Sequence, residues 1–391
     1  MQATGVVSIG LAIFAMLFGS GNIVFPLGLG RDLGSNVFFG IVGLALTGII
    51  IPVLGLVATA LFDGNYKKFF SMTGRIPGAL IAFTCMLLIG PFGATPRCIT
   101  LAYAAVRWHI PSISLFAFSL VVAAIIFAST VKKRYVMEVF GRVLAPIKLI
   151  LLFSIIILGL LSPAQAPVTA CSSLQSFFKG LEGGYLTLDL LATFLFSGLI
   201  VGAIKASRPS TNPMTSKEVA MTGLQAGLIG GLLLGAVYTG FCLLAAKYSA
   251  HIADLAPEQL LSALATLVLG PSASVLANAT MAIACLTTAI AISAVFADYL
   301  AKEVFQGRVR YLHALLVTIA LTVGMTNLGF NGIYQVIKPL ALFMYPALIV
   351  LALANIAYSL WGFRYTKHAV AIAFGVTMLL HVMHYLQLIG C

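Results

Sequence analysis

The sequence predicts an all-α polytopic membrane protein of about 11 transmembrane helices, and three observations predict it. Of 391 residues, 61% are hydrophobic and 8% charged, with a mean hydropathy of +1.09. A soluble domain carries roughly a quarter charged residues, so too little polar surface remains to face water. The charges are also spaced so that long uncharged runs separate them, and about 20 apolar residues suffice to cross a bilayer. Finally, the unusual segments recur five spans apart, which divides the chain into two five-span units and one span left over.

In chain order the uncharged runs are Met1–Gly30, Leu33–Phe62, Ile76–Pro96, Trp108–Val131, Leu149–Phe178, Val219–Ala246, Gln259–Ala297, Tyr311–Ile337, Pro339–Phe363 and His368–Cys391. The segment around Leu186–Ser207 carries one acid and stands sixth. This pattern excludes a soluble enzyme and a single-anchor receptor. It also excludes an outer-membrane barrel, whose short strands alternate. Met1–Ser8 has no positive n-region, so the first span is not read as a cleaved leader. Pro163–Tyr185 and Lys247–Gly270 are the long connections, expected to hold small surface helices. Spans three (Pro77 to about Ala105) and eight (Pro271 to about Leu300) exceed a hydrocarbon core of roughly 30 Å and should tilt.

The net charge of +12 does not point to nucleic acid, because its distribution follows the loops. One alternating set holds Lys67, Lys68, Arg75, Lys132, Lys133, Arg134, Arg142, Lys205, Arg208, Lys217, Lys302, Arg308, Arg310, Arg364 and Lys367; the other holds Arg31, Arg107, Lys179 and Lys247. Positive loops stay inside, which places the N-terminus inside and the C-terminus outside. The six cysteines, Cys171 and Cys391 among them, and the six histidines show no metal-ligand spacing.

The first span contains Phe18-Gly19-Ser20-Gly21-Asn22-Ile23-Val24-Phe25-Pro26, poor material for continuous helix. A break there frees N–H groups that suit a carboxylate and C=O groups that suit a cation, as an amino-acid zwitterion with Na⁺ requires. The other reading is a small-residue packing face with a proline kink. The third span contains Gly90-Pro91-Phe92-Gly93-Ala94-Thr95-Pro96-Arg97; Arg97 either pairs with an acid, gates the outer vestibule or snorkels.

In the sixth, Asp189 costs about 2.5–3.5 kcal/mol if mid-membrane. It fits a cation ligand, a proton carrier, a partner for a substrate ammonium, or a residue at the outer interface. Phe194-Leu195-Phe196-Ser197-Gly198 offers a second helix break with aromatics to shape an apolar pocket. Gly227, Gly231 and Gly235 in the seventh read as close helix packing. In the eighth, Ala284, Thr287 and Thr288 share a face and offer oxygen ligands, although threonines also bond back to the preceding turn. The likeness of spans one and six, and of three and eight, is five apart. A five-span unit repeated in tandem returns inverted, a plan common among secondary transporters.

Taken together these segments resemble the branched-chain amino-acid:cation symporters (the BrnQ or LIVCS family). Phe18–Pro26 resembles its first-helix FGAGN-x-x-FP motif, Gly90–Arg97 its GP-x-x-A-x-PR, Tyr185–Asp189 its YLT-x-D, Leu286–Ala289 its LTT-A-x, and Tyr345-Pro346 its tenth-helix pair, in order from about Ser8 to Ser359. The resemblance implies the five-plus-five inverted repeat of the leucine-transporter (LeuT) fold in one transmembrane domain over 1–391. Repeat one then covers about 5–163, repeat two about 185–359, and an extra helix about 367–390.

It implies a substrate site between the broken first and sixth helices, drawing on Gly19, Ser20, Gly21, Asn22, Phe25, Asp189, Phe194, Phe196, Ser197 and Gly198. Substrate-carboxylate amides fall near Ser20 and Gly21. A sodium site falls at the carbonyls of Ala15, Phe18 and Ala284 with the hydroxyls of Thr287 and Thr288, and Asn22 sits near a second cation site. The implied activity is import of leucine, isoleucine or valine by Na⁺ symport across a bacterial inner membrane. The alternative is proton coupling on the same fold for other small apolar amino acids. Its partners are the amino acid and the bilayer, with no organic cofactor, nucleic acid or obligate protein partner. Ser20 in place of the usual alanine, Gly93 with Thr95, Ser197 within the sixth-helix Phe-Gly, and 11 helices where the family usually has 12 depart from its pattern.

Overall fold

A chain this apolar must satisfy its backbone internally, and helices are the way to do so in lipid. The computed structural model describes residues 3–131, 136–163, 171–208 and 214–389, and every regular element among them is helical. Lys132, Lys133, Arg134 and Cys391 lie outside the described residues, as do the side chains of Arg142, Lys148 and His384.

Span one comprises Ala3–Leu17 and Gly21–Leu33. Span two runs from Val37 to Ala60 with a π-helical stretch at Leu46–Ile50. A short helix, Tyr66–Ser71, leads to span three, which is itself interrupted between Arg75–Ile89 and Ala94–Arg107. Spans four and five are Leu115–Val131 and Val136–Leu161. Span six comprises Ser173–Thr187 and Asp189–Ala206, and span seven is Ser216–Lys247. After helices Ser249–Ile252 and Leu260–Leu269 come spans eight (Pro271–Tyr299), nine (Tyr311–Thr326), ten (Gly329–Trp361) and eleven (Thr366–Ile389).

Three expectations change. Ser173–Thr187 is not a surface helix in a connection but the first half of span six. Phe194–Gly198 lies inside an unbroken helix, and the interruption is at Leu188. Leu260–Leu269 does occupy the second long connection, but Leu260–Ala265 are buried, so it sits into the protein rather than on it.

Glycines decide which helices approach closely. In span seven, a Cβ on Gly231 would meet Ile49 at 3.0 Å and one on Gly227 would meet Val53 at 3.2 Å, so that glycine row beds against span two. Gly230, on another face, abuts the Gly10 carbonyl of span one. The first half of span six lies on span two, where a Cβ on Gly184 would come 2.7 Å from the Gly48 amide. Thr47 there donates to the Leu181 carbonyl at 2.9 Å. Spans one, two, six and seven are thereby drawn together around the two interruptions.

Candidate functional site

Span one stops being helical at Phe18-Gly19-Ser20 and resumes at Gly21. The Gly19 N–H, which in continuous helix would donate to Ala15, instead donates to Asn22 Oδ1 at 2.7 Å. The Ala15 carbonyl thus loses its helical donor, while the second half begins with the orphan amides of any helix start. In span six the interruption is one residue. Leu188 adopts φ 64 and ψ 20, left-handed for a buried, non-glycine residue. That conformation costs of order 1–3 kcal/mol and persists where the surroundings enforce it.

The two interruptions meet. A Cβ on Gly21 would lie 3.0 Å from the Thr187 carbonyl oxygen, tighter than side chains ordinarily pack, so glycine eases the approach. Asn22 Nδ2 donates to both Asp189 oxygens, at 2.8 and 2.9 Å. Tyr238 of span seven donates its hydroxyl to Asp189 Oδ2 at 2.6 Å and lies in direct contact with Asn22 Nδ2. Asn22, Asp189 and Tyr238 are each no more than 1% exposed. Asp189 is therefore deep in the protein. Hydrogen bonds to a charged group contribute about 1.5–3 kcal/mol each, comparable to the cost of placing an aspartate mid-membrane.

The structure brings Gly19, Ser20, Gly21, Asn22, Phe18 and Asp189 together. Thr288 joins them from span eight, its methyl 3.9 Å from where a Gly19 Cβ would stand. Thr287 and Thr288 both donate to the Ala284 carbonyl, at 2.8 and 3.0 Å, so their hydroxyls are turned to their own helix. Ala15 is exposed. Phe194, Phe196, Ser197 and Gly198 lie further along span six, in the helix that follows the break. Phe194 packs between Phe69 and Phe70, tilted against one and edge-on to the other, with ring centroids 5.0 and 5.5 Å away, and Ser197 donates to the Phe194 carbonyl at 2.8 Å.

Two cavities touch span six on either side of Asp189, though neither is lined by Asn22, Asp189 or Tyr238. One, of about 770 Å³, is rimmed by Asp63, Lys67, Lys302 and Glu303 and lined by Phe196 and Gly198. The other, of about 370 Å³, opens among Arg31, Lys179 and Lys338 and is floored by Phe25 and Leu186. Along span six, Asp189 falls between the residues lining one cavity and those lining the other. On the smaller side Phe25 meets Tyr334 at 6.2 Å between ring centroids, and Lys338 pairs with Glu182 at 2.5 Å.

A polar knot at paired helix breaks, with a cavity on either side of it along span six, is transport geometry. Residues 2–390 match the family described as branched-chain amino acid transport protein. The chain belongs to that family. Curated relatives include the branched-chain amino acid permease BrnQ of Escherichia coli (strain K12), 28% identical over 92% of this chain and 82% of its own length. BrnQ of Bacillus subtilis (strain 168) is also 28% identical, over 92% and 83%. The branched-chain amino acid transport system 3 carrier protein of Pseudomonas aeruginosa is 29% identical over 92% and 82%.

Among solved structures the chain resembles Mhp1 in its inward-facing conformation, with a TM-score of 0.66 and 14% identity over 90% of this chain and 77% of Mhp1. It also resembles Mhp1, there described as a nucleobase-cation-symport-1 family transporter, in a closed conformation with bromovinylhydantoin bound (TM-score 0.60, 15% identity, 97% and 92% coverage). These likenesses establish the LeuT-type fold, two inverted five-helix repeats plus an extra helix. The family is one of transporters, not enzymes.

Sequence reading missed Tyr238. A phenol in a glycine-rich apolar helix needs a buried partner, and that was its only signal.

Proposed function

We propose that this protein is a secondary transporter that imports leucine, isoleucine or valine across a bacterial inner membrane, driven by the inward Na⁺ gradient. The observation that carries this reading is the Asn22–Asp189–Tyr238 knot joining the interruptions of spans one and six. The orphan amides at Ser20 and Gly21 suit the amino acid's carboxylate. Apolar residues such as Phe25 suit a branched side chain, and Asp189 supplies the negative charge for the ammonium or a cation. Sodium is carried as a second substrate. Its oxygen set is the Ala15, Phe18 and Ala284 carbonyls with Thr287 and Thr288, whose hydroxyl protons must turn away from Ala284 to admit it. With the basic loops inside, the larger cavity is the cytoplasmic one in this reading, and access alternates between it and the smaller one.

Proton coupling through Asp189 is the rival. It is favoured by the burial of Asp189, 1% exposed with no ion-pair partner among the described residues to oppose its protonation. Uptake of radiolabelled L-leucine into proteoliposomes, with a sodium gradient or a pH gradient alone and with each other amino acid as competitor, separates the two. Sodium-driven uptake competed by isoleucine and valine supports the proposal, and Thr288→Ala should raise the sodium concentration for half-activation several-fold. Uptake that ignores sodium and follows pH overturns it in favour of the rival.

A further inference from the structure

Arg97 is fully buried, 1% exposed, in the second half of span three. A guanidinium has five N–H donors and stays charged. Here its one side-chain hydrogen bond among the described residues runs from Nη1 to the Leu186 carbonyl at 2.7 Å, and its Nε has no partner. The Phe25 ring covers it, 5.3 Å from Cζ to centroid. No carboxylate among the described residues forms an ion pair with it, although Asp189 lies within electrostatic reach. A buried charge left this bare is costly. One carbonyl at the end of a helix and one aromatic face account for only part of its capacity.

Its position says what completes it. Leu186 is two residues before the interruption of span six, and Phe25 stands in the second half of span one. These same two residues floor the smaller cavity. The next residue, Cys98, contacts Ser20 Oγ at 3.5 Å within the interruption of span one. Arg97 therefore stands where both interruptions and the cavity floor converge, with donors unspent. A planar fork of donors suits a carboxylate above all.

We propose that Arg97 anchors the carboxylate of the transported amino acid, together with the amides of span one, and so makes a free α-carboxylate a requirement of the site. This rests on the reading that the site takes an amino acid. A zwitterion brings one charge of each sign to a place that holds one of each, so Arg97 is neutralised and the site's charge is unchanged.

The test uses the full chain in lipid nanodiscs and four probes by calorimetry: L-leucine, L-leucinamide, 3-methylbutylamine and 4-methylpentanoate. Wild type should prefer leucine to leucinamide by about 100-fold. Arg97→Gln should lose about 30-fold in leucine affinity, the scale of a buried charged hydrogen bond, while leucinamide changes less than about three-fold. Arg97→Lys, which keeps the charge and loses the fork, should fall between.

Equal losses for leucine and leucinamide in Arg97→Gln, or no loss, overturn the proposal and leave Arg97 as a helix-end cap. If Arg97→Gln has no cooperative thermal unfolding, Arg97→Lys decides. Wild-type preference there overturns the proposal, and a reduced preference supports it. Wild-type binding of 3-methylbutylamine as tight as that of leucine overturns the carboxylate anchor alone. Binding of 4-methylpentanoate without leucine supports the anchor and overturns the amino-acid reading instead; binding of none of the four overturns both.

Discussion

Spans one and six are interrupted, and so is span three, yet the interruptions differ in what satisfies them. At Gly90–Gly93 the backbone closes on itself. Gly90 donates to Met86 at 2.8 Å, Phe92 to Leu87 at 3.1 Å, Thr95 to Gly90 at 3.3 Å and Arg97 to Gly93 at 3.1 Å. At Gly19 the donor turns to a side chain, Asn22, which is itself held by an aspartate on the facing break. The comparison teaches that a helix break within the membrane is not by itself a binding site. A break whose backbone closes on itself redirects a helix. A break whose polar cap is held by a buried carboxylate from a facing span makes polarity available to something else.

Removing the charge at the facing breaks should have the largest effect. Asp189→Asn sets an amide nitrogen against Asn22 Nδ2 or Tyr238 and should lower leucine uptake by about 100-fold or more, from two charged hydrogen bonds. Wild-type kinetics would mean that the knot is structural, like the third-span break. Tyr238→Phe deletes one bond to Asp189 Oδ2 and should cost about 10-fold in uptake, with protein levels in the membrane unchanged. Pro91→Ala, at the self-satisfied break, should leave uptake within about two-fold and lower stability by less than about 1 kcal/mol; a large transport defect would erase the distinction drawn between the breaks.

The smallest effect belongs to a loop. Asp63, beside the larger cavity, accepts a hydrogen bond from Lys205 at 2.9 Å, which holds its carboxyl below the ordinary range. Its contribution is thus complete above that range and is lost as pH falls through the lowered folded value. With Asp63 49% exposed, the pair contributes less than about 1 kcal/mol. Thermal melts of Asp63→Asn and wild type should therefore differ by a few degrees at most near neutrality and converge in acid.

Much of the site could be read from residue types alone. Asn22 and Asp189 stand out because polar groups in apolar runs need a reason, and Gly19-Ser20-Gly21 cannot sustain a helix unaided. Leu188 could not be read this way. Thr187-Leu188-Asp189 contains no glycine or proline, and its left-handed turn is imposed by what surrounds it. Phe194–Gly198, with its glycine, looked like the better breaker, yet it continues as helix because Phe194 is locked between Phe69 and Phe70.

By itself the sequence determined the membrane embedding, the all-helical class and the family. These follow from local rules: the length of an apolar run, the spacing of charges and motifs contiguous in the chain. Only the tertiary structure decided where span six breaks, that Tyr238 completes the Asp189 site across 49 residues, and that Arg97 lies buried with donors to spare. Each of those depends on which helices are neighbours. Helix neighbours in a membrane are chosen by close packing of small residues, and a glycine row such as that of span seven marks a packing face without naming the span that meets it.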